Sequence, residues 1–516
     1  MCCHCSIPSE GMDRREFLRV STAGIAAVGM SMAPLSTVFA MDEIPDWNPQ
    51  RPFLQTGEAI TVQPVLMYHL PQRRKQRSWR PWGGLQNEQD VQNEVERIHK
   101  ELAYIKKSAT FPVNIAPVVT ATTPEQAKNI NSQSESDVLL IYAASGGTST
   151  FENLVSEERD NIIFIRHQTG PVYLWYEIVH NRFLREGSDE YDLEEFRNPG
   201  GTDTHDIVVD DLEEIQWRLR SLFALKNTIG KSIVTLGGPA GWCAPYAPEK
   251  AQERFGLVYH EVSYDEMEKR IQTARANKDL MRTAKQWADK YLALPHVVAL
   301  KTEKQFVVNA FLVYALFKDL MREHDATAFT LQNCMSAIIP MAETTACLPL
   351  NLLNDEGYLA FCESDFNVIP SGILLHYIAG KPVFLNDPTY PHKNMVTCAH
   401  CTGPSRMNGE DYETTKILTH FESDYGAAPK VELALGEELT IINPDSYQSE
   451  WVGLKGKVVD NPFLDICRTQ WDIQFEGNTE KLNEKTGGFH WMIAEGDYLK
   501  EVEYAVRKVG INWTKI

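Results

Sequence analysis

The sequence predicts an α/β protein in which two doubly wound α/β domains precede a β-rich carboxy-terminal domain. Apolar β-type runs alternate with amphipathic stretches between about residues 60 and 228. A strand that runs into a Gly/Pro turn at 232–242 then begins a second block with the same alternation. After about residue 395, short strands separated by turn residues replace the helices. Parallel sheets covered by helices are the usual product of the first two patterns.

Both blocks contain segments whose apolar residues follow the pattern of a buried strand or of an amphipathic helix. The first has three apolar runs typical of strands buried on both faces, at 64–70, 137–144 and 161–167. Amphipathic helices are predicted at 88–107, 210–227, 264–292 and 304–323. The predicted boundaries are a leader at 1–40, α/β domains at 41–228 and 229–382, and the β-rich domain at 383–516.

Composition and charge narrow the range of partners. The 516 residues are 43% hydrophobic and 23% charged, as in ordinary globular proteins. Fifty basic and seventy acidic residues give a net charge of −20, which disfavours nucleic acid and anionic membrane surfaces as partners. A small-molecule substrate fits this balance better.

The first 40 residues have the features of an export signal. Arg14 and Arg15 are followed by Phe17 and Leu18, a moderately apolar stretch, and a Val-Phe-Ala sequence that ends at Ala40. This segment resembles a twin-arginine signal, which implies passage of a folded protein through the Tat export machinery to the periplasm. A short amphipathic anchor is the alternative.

No other segment is predicted to insert stably in a membrane. The longest apolar run, at 306–317, is well short of the roughly 20 residues that a spanning helix needs. Its length and period predict a buried helix.

Most short motifs are weak. The Gly-Lys-Ser at 230–232 lacks the upstream glycine of a phosphate-binding loop. Cys398 and Cys401 form a CxxC pair without the second pair that a structural zinc site needs, and Gly and Pro follow in place of the helix expected after a redox pair. The glycine turns at 145–147 and 237–242 are equally consistent with ligand contact and with tight turns after strands.

Two acidic residues and two histidines are the strongest candidates for chemistry. The sequence predicts a strand at 357–363, a helix at 368–380 and a second strand at 381–387, which together would form one βαβ unit. Glu363 and Asp387 would then lie at the carboxyl edge of one parallel sheet, where two carboxylates can share a divalent ion. Taken singly, Glu363 also fits a helix cap and Asp387 a turn residue. His400 and His490 also fit structural histidines.

Three stretches, at 347–365, 381–388 and 487–512, resemble the metal-binding stretches of the L-fucose isomerase and L-arabinose isomerase superfamily. The resemblance implies two α/β domains before a β-rich domain, and a Mn²⁺-type ion, with Mg²⁺ or Co²⁺ as alternatives. It places the first acidic ligand on Glu363, the second on Asp387, and the late histidine on His490. The arabinose branch adds an intervening histidine, for which this chain has His400.

The resemblance further implies an aldose–ketose isomerase that works through an ene-diol, in a homo-oligomer whose sugar pockets are shared between subunits. Glu363 would be the base and Asp387 its acid partner, while His490 would be the third metal ligand and His400 a fourth ligand or a group that orients one. Gln332 and Trp491 are candidate sugar contacts, with loop or core roles as alternatives. The rival functions are an epimerase or lyase acting on an oxidised sugar at the same metal site, and a non-catalytic periplasmic carbohydrate-binding protein.

Overall fold

A computed structural model describes residues 46–72, 75, 85–156, 158–167, 179 and 202–516. The predicted export signal at 1–40 lies outside the described residues. Contacts divide the chain into two compact units. The first is Glu58–Phe223, and the second is Ala224–Ile516 together with the segment that ends at Gly57.

The molecule is a mixed α/β protein with two parallel sheets and a carboxy-terminal antiparallel sheet that closes on itself. This confirms the predicted α/β class and the β-rich carboxy-terminal region. The predicted division at 228 and 382 stays a prediction.

The first unit contains a six-stranded parallel sheet of order β2-β1-β4-β5-β6, with β3 also paired to β1. Its strands are β1 (Ile60–Met67), β2 (Val113–Ile115), β3 (Val119–Ala121), β4 (Val138–Ala143), β5 (Asp160–Ile165) and β6 (Ile207–Val209). Its helices are α1 (Glu88–Ser108), α2 (Pro124–Gln133), α3 (Thr148–Leu154) and α4 (Leu212–Thr228), the last of which continues into the second unit.

Local sequence explains why these elements form. All six residues of β4 are buried, as expected of a central strand covered on both faces. Helix α1 begins where the Asn87 side chain accepts the backbone N–H groups of Gln89 and Asp90. Acidic residues in its first turn and lysines in its last turn complement the helix dipole.

The second unit begins with a four-stranded parallel sheet of order β11-β10-β7-β8. Its strands are β7 (Ser232–Leu236), β8 (Val258–Val262), β10 (Ala328–Leu331) and β11 (Leu359–Phe361). The helices around it are α5 (Ala247–Phe255), α6 (Tyr264–Ala276), α7 (Lys278–Leu292), α8 (Lys304–Glu323), α9 (Ile339–Ala342), α10 (Cys347–Glu356) and α11 (Ile369–Ala379). Every residue at 307–317 in α8 is buried, which confirms the predicted buried helix.

Seven strands form the carboxy-terminal sheet, in the order β16-β19-β12-β13-β18-β17-β20, and a pairing of β16 with β17 closes six of them into a barrel. These strands are β12 (Phe384–Pro388), β13 (Met395–His400), β16 (Glu438–Pro444), β17 (Glu450–Asp460), β18 (Thr469–Phe475), β19 (Trp491–Glu495) and β20 (Asn512–Lys515). Helices α12 (Thr479–Lys485) and α13 (Leu499–Lys508) lie between its last strands in sequence. A small sheet of β9 (Val297–Leu300), β14 (Thr414–Leu418) and β15 (Ala428–Glu432) completes the unit.

The predicted βαβ unit at 357–387 is wrong in its pairing. Strand β11 joins the parallel sheet, whereas β12 joins the barrel and pairs antiparallel with β13 and β19. Helix α11, buried along almost its whole length, connects them and contacts both β11 and β19. Glu363 and Asp387 therefore approach each other from two different sheets.

In the described part of the chain, no single helix is long and apolar enough to cross a membrane. One pair of helical segments, Cys334–Ala342 and Cys347–Glu356, meets the length and composition criteria only when taken together, and it is bent by 95°. Residues 347–355 of α10 are all buried inside the unit, as expected of a core helix.

Candidate metal centre

Glu363 lies in a sharp turn two residues beyond the end of β11. Glu363 and Ser364 both have left-handed backbone conformations, with φ of 66° and 48°. Such conformations cost a non-glycine residue on the order of 1 kcal/mol and persist where the surrounding structure enforces them. The turn ends the strand and directs the Glu363 carboxylate toward the barrel.

The other three predicted ligands come from adjacent strands of the barrel. Asp387 lies in β12 opposite Ala399 of β13, so His400 at the end of β13 is close by. Asn386 pairs with Trp491 in β19, and His490 immediately precedes that strand. The antiparallel register thus brings Asp387, His400 and His490 to one end of three neighbouring strands.

The structure brings all four predicted ligands together. The Nε2 atom of His490 lies 3.1 Å from Oε2 of Glu363 and 3.1 Å from Oδ1 of Asp387. The Nε2 atom of His400 lies 3.7 Å from Oε1 of Glu363. One potential ligand atom from each of Asp387, His400 and His490 lies within 4.8 Å of the others.

Both histidines are anchored at Nδ1, which leaves Nε2 for the site. Oδ2 of Asp365 lies 2.7 Å from Nδ1 of His490, and Oγ1 of Thr402 lies 2.9 Å from Nδ1 of His400. The other oxygen of Asp365 accepts the backbone N–H groups of Trp242 and Asn367. A carboxylate behind a histidine in this way is the usual support of a metal-bound imidazole.

Three buried atoms at the centre of the cluster have no hydrogen-bond partner among the described residues. They are Oε2 of Glu363 and Nε2 of His400 and His490. Buried polar atoms without partners are uncommon, and three of them facing one another indicate a place for a bound group. Carboxylate oxygens with imidazole nitrogens suit Mn²⁺, Co²⁺ or a similar divalent ion. The residues present therefore fit a metal site.

No family model and no curated protein matches the chain.

The pKa values of His490, His400 and Glu363 are shifted because these groups lie close together. Burial lowers the pKa of His490, but the nearby carboxylates of Asp365, Asp387 and Glu363 outweigh this effect and raise it to about 11. For His400, burial likewise opposes protonation, and the Glu363 carboxylate raises the pKa. Burial would raise the pKa of Glu363, yet the two histidines lower it far below its usual range. The Glu363 carboxylate is thus ionised, as a metal ligand must be.

The exposure of the four side chains defines the open side of the site. The side chains of Glu363 and Asp387 are 30% and 33% exposed, whereas those of His400 and His490 are 4% and 0% exposed. The histidines therefore form the floor of the site, and the carboxylates face the side from which a substrate would approach.

The two predicted sugar contacts have other surroundings. The side-chain amide of Gln332 donates to the carbonyl oxygens of Gly237 and Gly238, so it supports the turn that follows β7. Trp491 is 2% exposed and packs in the apolar core of the barrel. A core role accounts for Trp491, and sugar contact by Gln332 stays a prediction.

Sequence reasoning missed four residues at the site: Asp365, Thr402, Trp242 and Phe489. The rings of Trp242 and Phe489 stack with centroids 5.5 Å apart, and both meet the His490 ring edge-on. These two side chains are 55% and 47% exposed, so they form an aromatic wall beside the cluster. Asp365, Thr402 and Phe489 lie within two residues of a predicted ligand, and Trp242 ends the glycine turn at 237–242.

Proposed function

We propose that this protein is a metal-dependent aldose–ketose isomerase of the L-fucose and L-arabinose isomerase type, acting on a sugar through an ene-diol. One observation carries the proposal: two carboxylates and two imidazole Nε2 atoms, from positions 363, 387, 400 and 490, meet in one cluster. Binding alone would not require a pair of carboxylates placed to exchange protons, whereas isomerisation requires both an acid and a base.

Glu363, Asp387, His400 and His490 would hold the ion. When bound, a divalent ion stabilises the negative charge that develops on the two sugar oxygens, which is worth several kcal/mol of barrier. Mn²⁺ suits this donor set, with Mg²⁺ or Co²⁺ as alternatives.

The partly exposed carboxylates would perform the proton transfers. Glu363, ionised and facing the open side, would take a proton from the carbon next to the sugar carbonyl. Asp387, whose Oδ1 atom lies 3.1 Å from the same His490 Nε2 atom, would act as its acid partner. The proton returns to the adjacent carbon, so the reaction consumes no oxidant or reductant. The histidines behind them would remain fixed by Asp365 and Thr402.

We further propose a domain organisation, an export route and an oligomeric state for the chain. Both parallel sheets would be doubly wound, with domains at 41–228 and 229–382 before the β-rich domain. Residues 1–40 would direct the folded protein through the Tat export machinery to the periplasm. A homo-oligomer would complete the sugar pocket from a neighbouring subunit.

The decisive experiment combines metal analysis with solvent exchange. Purified protein is assayed for bound metal and then incubated in deuterated water with a panel of aldoses and added Mn²⁺, with chelator controls. Deuterium incorporation with ketose formation supports the isomerase. Incorporation without ketose indicates the epimerase or lyase, and bound metal with no exchange indicates a carbohydrate-binding protein.

A further inference from the structure

We infer that Cys362 is an additional donor at the metal centre and shifts its preference toward softer divalent ions such as Zn²⁺ and Co²⁺. This inference rests on the proposed metal site. The Cys362 sulfur, a Glu363 carboxylate oxygen and a His400 ring nitrogen all lie within 4.8 Å of one another. Cys362 is not one of the ligands that the sequence resemblance implies, and Zn²⁺ is not one of the ions that it implies.

The strained turn explains how Cys362 reaches the site. Successive side chains of an extended strand point to opposite faces, so Cys362 and Glu363 would normally diverge. The left-handed conformation of Glu363 breaks this alternation and brings both side chains toward His400. Cys362 is 7% exposed, and it also belongs to the apolar core around α8. The thiol thus lies at the boundary between the core and the metal centre.

A sulfur donor at this position would change which divalent ions the metal centre prefers. Carboxylate oxygens accept Mn²⁺ and Mg²⁺ readily, whereas thiolate sulfur favours softer ions, and imidazole suits Zn²⁺ and Co²⁺. Sites of nitrogen and oxygen donors already bind Co²⁺ and Zn²⁺ more tightly than Mn²⁺. A sulfur donor beside the His400 imidazole would widen the preference for Zn²⁺ and Co²⁺ over Mn²⁺.

Cobalt spectroscopy on the full-length protein tests the inference directly. We expect the Co²⁺-loaded wild-type protein to show a sulfur-to-cobalt charge-transfer band in the near ultraviolet, and Cys362→Ser to lose it. Cys347→Ser is the matched control, because Cys347 is also buried but belongs to no potential ligand group in the described chain. This control should keep the band.

Metal competition gives a second measurement. Loss of even an indirect supporting group costs a metal site about 10–100-fold in affinity. We therefore expect the preference for Zn²⁺ over Mn²⁺, measured against a chromophoric chelator, to fall at least about tenfold in Cys362→Ser. The Cys347→Ser preference should equal that of the wild type.

The outcomes separate this inference from the isomerase proposal. Wild-type protein that binds one Co²⁺ without a sulfur band overturns the role of Cys362, whether or not any variant folds, and leaves the isomerase proposal intact. A band that persists in Cys362→Ser also overturns it. Wild-type protein that binds none of Co²⁺, Zn²⁺ and Mn²⁺ removes the metal site and both proposals together.

Discussion

Asp365 fixes the orientation of the His490 ring in the site. Its Oδ2 atom holds Nδ1 of His490, and its Oδ1 atom holds the backbone at Trp242, so one buried carboxylate fixes both the floor and the aromatic wall. We expect Asp365→Asn to lower metal affinity by about 10–100-fold, because an amide supports the imidazole less strongly than a carboxylate does. Isothermal titration calorimetry with Mn²⁺ and with Zn²⁺ measures the change in metal affinity.

The control for this variant is Asp497→Asn, which removes a partly exposed carboxylate paired with Lys455. It should bind metal as the wild type does. Equal metal affinity in Asp365→Asn and Asp497→Asn would show that Asp365 has no part in supporting His490.

Glu363 is the residue to which we assign proton abstraction. Glu363→Gln keeps the size of the side chain and removes its ability to accept a proton, so we expect turnover to be lost with the fold intact. Solvent deuterium exchange into the sugar measures the loss, and circular dichroism checks the fold. Glu432→Gln, which alters a pair with Lys416 in the small sheet, should retain activity. Near-normal rates in Glu363→Gln would remove Glu363 from the mechanism.

The sequence could indicate which residues form the site, but not which residues support them. Residue type, together with the resemblance of three stretches to an isomerase superfamily, points to Glu363, Asp387, His400 and His490 as candidates, and the structure places them in one cluster. The support from Asp365 and Thr402 was not visible, because hydrogen bonds to Nδ1 depend on tertiary contacts. The burial of Trp491 was hidden for the same reason, since period alone does not say which barrel face is the core.

At the scale of elements, most strands and helices followed from periodicity, whereas their partners did not. The strand–helix–strand order of β11, α11 and β12 was predicted, but β12 pairs in the barrel instead of beside β11. Strand period gives the faces of a strand and not its neighbours. Helix α11 is apolar on every side, so its sequence does not indicate which sheet it covers.

Helix α11 also contains a group that should make stability depend on pH. His376 is buried, and burial, with a smaller effect of nearby Lys231, lowers its pKa from 6.5 to about 3. The folded state keeps the imidazole neutral while the unfolded state binds a proton below its ordinary pKa. This contribution to stability is therefore complete above pH 6.5 and is lost as the pH falls toward 3.

The slope of stability against pH tests this effect. One proton bound only by the unfolded state changes the free energy of unfolding by about 1.4 kcal/mol per pH unit. Denaturant unfolding between pH 6.5 and 4 should give a shallower slope for His376→Leu than for the wild type. Leu375→Ala, at a buried position of the same helix, should lower stability at every pH and keep the slope. A slope unchanged in His376→Leu would contradict the prediction.

At the scale of the whole molecule, the cluster belongs entirely to one of the two compact units. All four ligands, Asp365 and the aromatic wall lie in Ala224–Ile516. The strong negative charge of the chain makes a divalent cation more acceptable than an anionic ligand at a site rich in carboxylates. The sequence indicates candidate ligands between 363 and 490. It does not show that they lie in one compact unit, because that depends on contacts between the parallel sheet and the barrel.

Metal binding should therefore stabilise the two units unequally. A ligand that binds only the folded state stabilises it by about 2.7 kcal/mol at one hundred times its dissociation constant. We expect hydrogen–deuterium exchange with Mn²⁺ or Zn²⁺ to slow in peptides that contain 359–365, 384–402 and 488–495, because these segments meet at the cluster. Peptides from 58–223 should exchange as they do with chelator present, and His490→Gln should remove the protection. Equal protection of 58–223 would show that the ion binds elsewhere, and the assignment of the metal to these four side chains would fail.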